Sequence, residues 1–147
     1  MKKILPPTLL LVCLVLMVVS HWAFPIQTIF PIPFNLLGIL PLVLGVFINI
    51  SADRQFAQVG TNVNTFNEPG KLVTGGWFRY SRNPMYLGFV FTLTGVWILL
   101  GSASPILEVL IFAAIADRGY IPYEEQRLTA KFGQAYEDYT RQVRRWI

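Results

Sequence analysis

The sequence is poor in charged residues, and the few it has are unevenly spread. Only 14% of its 147 residues are Asp, Glu, Lys or Arg, whereas soluble domains carry about 25%. No charged residue occurs between Lys3 and Asp53, and Glu108 stands alone between Arg82 and Asp117. Apolar stretches of about 18 residues or more are typical of membrane-spanning helices. The shortage of charge excludes an ordinary soluble domain and predicts an integral membrane protein with a single domain, residues 1–147.

Several motifs are also missing. The chain has one cysteine, Cys13, so no internal disulfide can form. It contains no GxGxxG, GxxxxGK[ST], CxxC or HExxH pattern, which excludes a phosphate-cradling dinucleotide fold and a common zinc site. No metal ligands are predicted. The net charge of +4 accompanies neither a DNA-reading helix nor a soluble basic domain, so we expect no nucleic-acid partner.

Four apolar segments predict an all-α membrane bundle. The expected spans are residues 4–24, 34–50, 84–100 and 105–120. Short uncharged connections join the first span to the second and the third to the fourth, while a long polar segment, residues 51–81, joins the second to the third. Small residues at helical spacing predict close helix–helix contacts; they are Gly38 and Gly45 in the second span, and Gly88, Thr92 and Gly95 in the third.

Charge placement predicts the orientation. Four spans would put both termini and the middle loop on one side, and all 12 Lys and Arg residues then lie on that side. Because loops rich in Lys and Arg stay in the cytosol, both termini should be cytosolic. In a bacterium the membrane would be the inner one. The sequence does not indicate an oligomeric state.

The segment after Pro122 has an amphipathic pattern. Its apolar residues recur at spacings of three and four: Leu128, Phe132, Tyr136, Tyr139, Val143 and Trp146. Arginines and lysines occupy the other side, which is typical of a helix on an anionic membrane surface. Gly133 could break this helix. Membrane lipids are therefore expected partners.

Two polar groups should meet at the cytosolic ends of the third and fourth spans. One is the loop of residues 72–86, which is rich in aromatic and basic residues, and the other is the pair Glu124 and Glu125. Since the third and fourth spans are hairpin partners, Asn83 and Tyr86 should approach Glu124. Carboxylates, aromatic faces and loop carbonyls suit a cationic or zwitterionic ligand. An interfacial charge network that only anchors the helices remains the alternative.

These two groups carry a resemblance to a known family. LVTGG at residues 72–76 followed by RNPMYLG at residues 82–88 resembles the LVTSGxY…RHPMYLG segment of the isoprenylcysteine carboxyl methyltransferase family, which also includes phospholipid methyltransferases. The pattern from Glu124-Glu125 to Arg145-Trp146 resembles the C-terminal signature of that family. Asn83 replaces the family's His before Pro, and Tyr120 replaces an Arg that precedes the first Glu by four residues.

The resemblance implies a membrane-embedded methyltransferase that uses S-adenosyl-L-methionine and a lipophilic substrate entering from the bilayer. The implied cofactor-binding residues are Lys71, Leu72, Val73, Phe78, Arg82, Asn83, Pro84, Met85, Tyr86, Glu124 and Glu125. The implied catalytic candidates are Tyr86, Glu124 and Arg118, the last being the arginine nearest to the replaced position. We expect the side chain of Glu124 to face the ligand and that of Glu125 to lean towards Arg118 or solvent.

The acceptor stays open at this point. It could be an isoprenylcysteine-type carboxylate, a phospholipid amine or a similar small lipophile. Two other functions remain: an NADPH-dependent membrane reductase of the sterol or enone type, whose C-terminal half is similar, and a non-catalytic membrane protein.

Overall fold

The computed structural model describes residues 4–60 and 70–147, and these residues form helices joined by short connections. Lys2 and Lys3, which contribute to the predicted orientation, lie outside this part of the chain. The six α-helices of the described part are α1 (Pro6–Ala23), α2 (Ile39–Val59), α3 (Pro84–Leu100), α4 (Ile106–Ile115), α5 (Ile121–Phe132) and α6 (Gln134–Gln142). Two 3-10 helices, Phe34–Gly38 and Gly76–Arg79, precede α2 and α3, and a π-helical turn, Ala116–Tyr120, joins α4 to α5. No strand occurs in these residues, which confirms the all-α prediction.

The first four helices run alternately up and down. The Tyr120 hydroxyl donates to the Ile4 carbonyl at 2.7 Å, while the His21 ring lies 2.8 Å from the Ser102 hydroxyl. The start of α1 is therefore near the start of α5, and its end is near the connection between α3 and α4. We call the end near Ile4 and Tyr120 the loop end, because the loop of residues 72–86 lies there. The end near His21 and Ser102 is called the far end.

Glycines set the contact between α2 and α3, as their spacing predicts. A Cβ atom on Gly45 would meet the carbonyl oxygen of Gly88, and one on Gly95 would meet backbone atoms of Leu42 and Gly38. Only hydrogen fits at these positions, so the two backbones come into direct contact. This contact fixes the start of α3, where the candidate site lies.

Buried side chains form two clusters. The first fills the space between α1, α3 and α4 and contains Cys13, Met17, Tyr86, Phe89, Leu93, Val109, Phe112, Ala116 and Ile121. The second lies beneath the loop and contains Ala52, Val73, Phe78, Tyr136 and Tyr139. Each cluster includes residues of the candidate site, so the site is built on packed apolar side chains.

Within residues 4–60 and 70–147, two helices are apolar and long enough to cross a membrane: Pro6–Ala23, and Phe34–Val59 with its leading 3-10 turn. Their outward apolar side chains are exposed, for example Leu11 at 61% and Leu40 at 69%. The third helix, Pro84–Leu100, is equally apolar but has 17 residues. Its bounds agree with the predicted ones.

Two elements differ from their predicted form. Helix α2 continues to Val59 instead of stopping at residue 50, so nine residues of the expected polar loop are helical. The fourth helix does not end near Tyr120; it passes through the π turn into α5 without a break. A widened turn before Pro122 accommodates a residue that has no N–H to donate to the preceding turn.

The amphipathic segment is two helices instead of one. Gly133, at a φ of 51°, separates α5 from α6, which confirms the break considered from the sequence. Leu128, Phe132 and Val143 pack against the second cluster, which contains Tyr136 and Tyr139. The apolar face of this segment is therefore covered by the protein itself.

Candidate functional site

The two motifs meet in one hydrogen bond at the loop end. The Tyr86 hydroxyl donates to Oε1 of Glu124 at 2.9 Å. Tyr86 stands in the first turn of α3 and Glu124 in the first turn of α5. The ring of Tyr86 is 5% exposed and stacks on Tyr120 at 6.1 Å between centroids. The predicted approach of Tyr86 to Glu124 is thus confirmed, and it places a carboxylate beside two aromatic rings.

Glu125 lies in an ion-pair network. Its carboxylate contacts Nη2 of Arg82 at 3.1 Å and Nη2 of Arg145 at 2.6 Å. The side chain of Glu125 is only 18% exposed. The expectation that Glu125 leans towards Arg118 or solvent is therefore wrong. Adjacent helical residues diverge by about 100°, and the direction away from Glu124 is filled by two guanidinium groups.

Asp117 completes the network from the π turn. Its Oδ1 accepts from Nη1 of Arg145 at 3.3 Å and from the Trp146 indole at 2.9 Å. Asp117 therefore links Arg145 and Trp146 of the C-terminal signature to the turn before α5. Glu125 raises the pKa of Arg145.

Backbone atoms of the chain's last described residues hold the loop. The carbonyl of Arg145 accepts from Nδ2 of Asn83 at 3.0 Å and from the Ser81 hydroxyl at 3.3 Å. The carbonyl of Arg144 accepts from the Arg82 amide at 3.0 Å. Asn83 is buried. The Asn83 side chain, which replaces the family's His, therefore has a defined partner in the Arg145 carbonyl. Its amide can donate a hydrogen bond, as an imidazole N–H would.

The apolar candidates lie beneath this network. Val73 and Phe78 are buried in the second cluster, and Leu72 and Met85 pack against it. Pro84 is fully buried at the start of α3, whereas Lys71 is exposed. The Tyr139 hydroxyl donates to the Phe78 carbonyl at 2.7 Å. Burial raises the pKa of Tyr136 to about 12, so this phenol stays neutral and serves packing.

Arg118 is set apart from the other candidates. It is exposed on the π turn. The sequence reasoning missed Asp117 and Arg145, which the structure brings to the site. The sequence did contain a signal for Arg145, because Arg145-Trp146 ends the C-terminal signature of the family. Helical spacing, however, placed Arg145 on the outer basic face of the segment.

Comparisons with known proteins agree with these motifs. The profile of the family described as phospholipid methyltransferase matches residues 34–135, well over half of the chain. The match includes the loop, α3, α4 and the Glu124–Glu125 pair. The chain belongs to this family.

Curated relatives include named methyltransferases. The chain is 31% identical over 113 residues to a "Probable protein-S-isoprenylcysteine O-methyltransferase" of Oryza sativa subsp. indica, covering 72% of this chain and 56% of that protein. It is 32% identical over 107 residues to the "Protein-S-isoprenylcysteine O-methyltransferase" of Schizosaccharomyces pombe, covering 69% and 44%. It is 35% identical over 80 residues to the "Methanethiol S-methyltransferase" of Crocosphaera subtropica, covering 51% and 28%. The chain thus spans about half the length of the isoprenylcysteine relatives.

Proposed function

We propose that this member of the phospholipid methyltransferase family is a membrane methyltransferase that uses S-adenosyl-L-methionine and methylates a lipophilic acceptor. The observation that carries the proposal is the Tyr86–Glu124 hydrogen bond of 2.9 Å, which joins the two motifs of the family in one place. The names of the relatives support methyl transfer. They also indicate acceptors of different chemistry, a prenylated cysteine and a thiol.

The residues present fit a zwitterionic sulfonium ligand. Glu124, Tyr86 and Tyr120 offer a carboxylate and aromatic faces, which attract a cation. Nε of Arg82 is buried and has no hydrogen-bond partner among the described residues. A buried donor of this kind suits a ligand carboxylate, because an unmade hydrogen bond to a charged group is costly. The site therefore offers groups of both signs.

We assign binding to the residues implied by the resemblance. The apolar set, Leu72, Val73, Phe78, Pro84 and Met85, would line the site. The polar set, Lys71, Arg82, Asn83, Tyr86, Glu124 and Glu125, would hold or orient polar groups of the ligand.

S-adenosyl-L-methionine supplies an electrophilic methyl group when bound. The chain then has to align the nucleophile in line with the breaking sulfur–carbon bond and exclude water. A carboxylate or thiolate acceptor needs no base, whereas an amine does, and Glu124 or Tyr86 would accept its proton. Arg118, exposed next to the site, would attract an anionic acceptor.

We further propose that four helical segments cross the membrane, with the loop end in the cytosol. The exposed apolar side chains of α1 and α2 support this, as does the position of the Lys and Arg residues of the described part, which lie at the loop end or in the segments next to it. Reporter fusions should place Gly60 and Ile147 inside and Pro31 and Ser102 outside. A cytosolic Ser102 would overturn the four-span arrangement.

A binding titration tests the proposal most directly. Purified protein in detergent is titrated by calorimetry with S-adenosyl-L-methionine and, separately, with NADPH. We expect saturable binding of the first and none of the second. Binding of NADPH alone would instead support the reductase, and binding of neither would support a non-catalytic protein. A panel of a prenylated cysteine, a phospholipid amine and a small thiol then identifies the acceptor class.

A further inference from the structure

We propose that Arg145 is a positioning residue for the cofactor site, acting through the loop and Glu125. Residues 143–146, which we call the strap, follow α6, begin with the extended Val143 and contact the residues just before α3. They contact the loop with backbone atoms and α5 with a side chain. This inference rests on the proposed function, since it concerns the site that would bind S-adenosyl-L-methionine.

The backbone of the strap fixes the polar atoms of the loop. The carbonyls of Arg144 and Arg145 accept three hydrogen bonds, from the Arg82 amide, the Asn83 side chain and the Ser81 hydroxyl. Asn83 caps the start of α3 without a side-chain bond to the helix. Its amide group is therefore oriented by the strap and not by the helix that it precedes.

The side chain of Arg145 holds the other half of the site. Nη2 and Nε of Arg145 contact the two oxygens of Glu125 at 2.6 and 3.3 Å, and Nη1 contacts Asp117 at 3.3 Å. One planar guanidinium thus bridges α5 and the π turn before it. A lysine ammonium is a point charge and cannot make this forked contact.

The network also sets where the two glutamates face. Arg82 and Arg145 both contact Glu125, and these two cations are matched by the two carboxylates of Glu125 and Asp117. With Glu125 fixed on one side of α5, Glu124 is turned towards Tyr86. Loss of the Arg145 side chain would detach the strap from Glu125 and Asp117. The backbone carbonyls that bond Asn83 and the Arg82 amide would remain, but the strap would no longer hold them in place.

The test compares Arg145→Ala and Arg145→Lys with Arg144→Ala. Arg144 is the matched control because its side chain is exposed, it carries the same charge, and its carbonyl contact survives the substitution. Hydrogen exchange reports protection of the Arg82 amide, and calorimetry reports the Kd for S-adenosyl-L-methionine. Turnover assays separate the KM for the cofactor from kcat.

We expect Arg145→Ala to raise the exchange rate of the Arg82 amide at least tenfold and the Kd and KM for the cofactor at least tenfold, with kcat changed less. Arg145→Lys should recover part of both effects, and Arg144→Ala should stay within twofold of the wild type. Exchange and affinity unchanged in Arg145→Ala would overturn the inference. Faster exchange with unchanged affinity would also overturn it, because the strap would then be structural only.

A failure of the proposed function would give a different result in the binding measurement. If the wild-type protein does not bind S-adenosyl-L-methionine, the methyltransferase proposal falls, and with it any role of Arg145 in cofactor binding. The exchange measurement still decides whether Arg145 orders the loop.

Discussion

The two ends of the helical bundle are held together by different chemistry. At the loop end, Arg82, Glu125, Arg145 and Asp117 form connected ion pairs. At the far end the contacts described are hydrogen bonds around Ser102, and one buried carboxylate, Glu108, lies in the first turn of α4. The Ser102 hydroxyl lies 2.8 Å from the His21 ring and 3.4 Å from the Ser104 hydroxyl, and the Ser102 carbonyl accepts from the Trp97 indole at 3.0 Å.

The difference distinguishes two roles of polar side chains, which are to hold helix ends together and to bind a ligand. Joining helix ends requires no ion pair, and the far-end contacts around Ser102 use hydroxyls, an indole and backbone carbonyls. Charged groups with limited exposure cost desolvation and add stability only with good geometry. The charge network at the loop end therefore suits the charged ligand that we propose, and helix anchoring is the alternative that substitutions can test. Substitutions at the two ends should separate these roles.

The largest effect is expected from Glu124→Gln. Neutralising a carboxylate that pairs with a cationic ligand costs about 2 to 5 kcal/mol of binding, and the Tyr86 hydroxyl can still donate to the amide oxygen. Calorimetry should show most of the affinity for S-adenosyl-L-methionine lost with little change in thermal stability. Glu137→Gln, an exposed site on α6, is the control. Wild-type affinity in Glu124→Gln would return this end to a purely structural role.

Glu125→Gln should act first on stability. Removing the carboxylate leaves two guanidinium groups without their shared partner, and the partial exposure of Arg145 limits the cost to about 2 to 4 kcal/mol. Thermal unfolding in detergent should begin at a lower temperature, and affinity should fall as the strap loosens. If stability is unchanged while affinity falls as far as in Glu124→Gln, both glutamates face the ligand.

Tyr86→Phe isolates one hydroxyl. The ring keeps its packing in the first cluster, whereas Tyr86→Ala would open a cavity in a buried position. A hydrogen bond to a charged acceptor contributes about 1.5 to 3 kcal/mol, so the midpoint of unfolding and the cofactor affinity should both fall. Tyr80→Phe, at a ring that is 71% exposed, should change neither. Equal behaviour of the two variants would show that the Tyr86–Glu124 bond is unimportant.

Much of the fold could be predicted because the apolar pattern is strong. Residues 84–100 read as one helix and are one, and the glycines of α2 and α3 contact each other as their spacing predicts. The π turn was missed, since the C-terminal segment was taken to begin at Pro122 and a widened turn has no sequence pattern of its own. Helix α2 was predicted too short because Asp53 and Arg54 look like loop residues, although they are exposed on a helix.

The site could be predicted only in part. The meeting of Tyr86 and Glu124 follows from hairpin topology, which sequence does indicate. The partners of Glu125 do not follow from it, because Arg82 and Arg145 are distant from Glu125 along the chain and reach it only through the fold. Periodicity also gave no sign of the strap, whose contacts to the loop are made by backbone carbonyls.

The smallest effect is expected from Ser102→Ala at the far end. The substitution removes a neutral hydrogen bond to His21, which contributes about 0.5 to 1.5 kcal/mol. The backbone bridge between Thr28 and Ser102 remains, as does the bond from Trp97 to the Ser102 carbonyl. The midpoint of thermal unfolding should therefore fall slightly, while the affinity for S-adenosyl-L-methionine stays within twofold of the wild type. Ser51→Ala is a suitable control, because its hydroxyl bonds only within α2, to the Phe47 carbonyl. An affinity loss as large as that of Tyr86→Phe would mean that α1 and α3 transmit changes along the bundle, and the two ends could no longer be treated as separate.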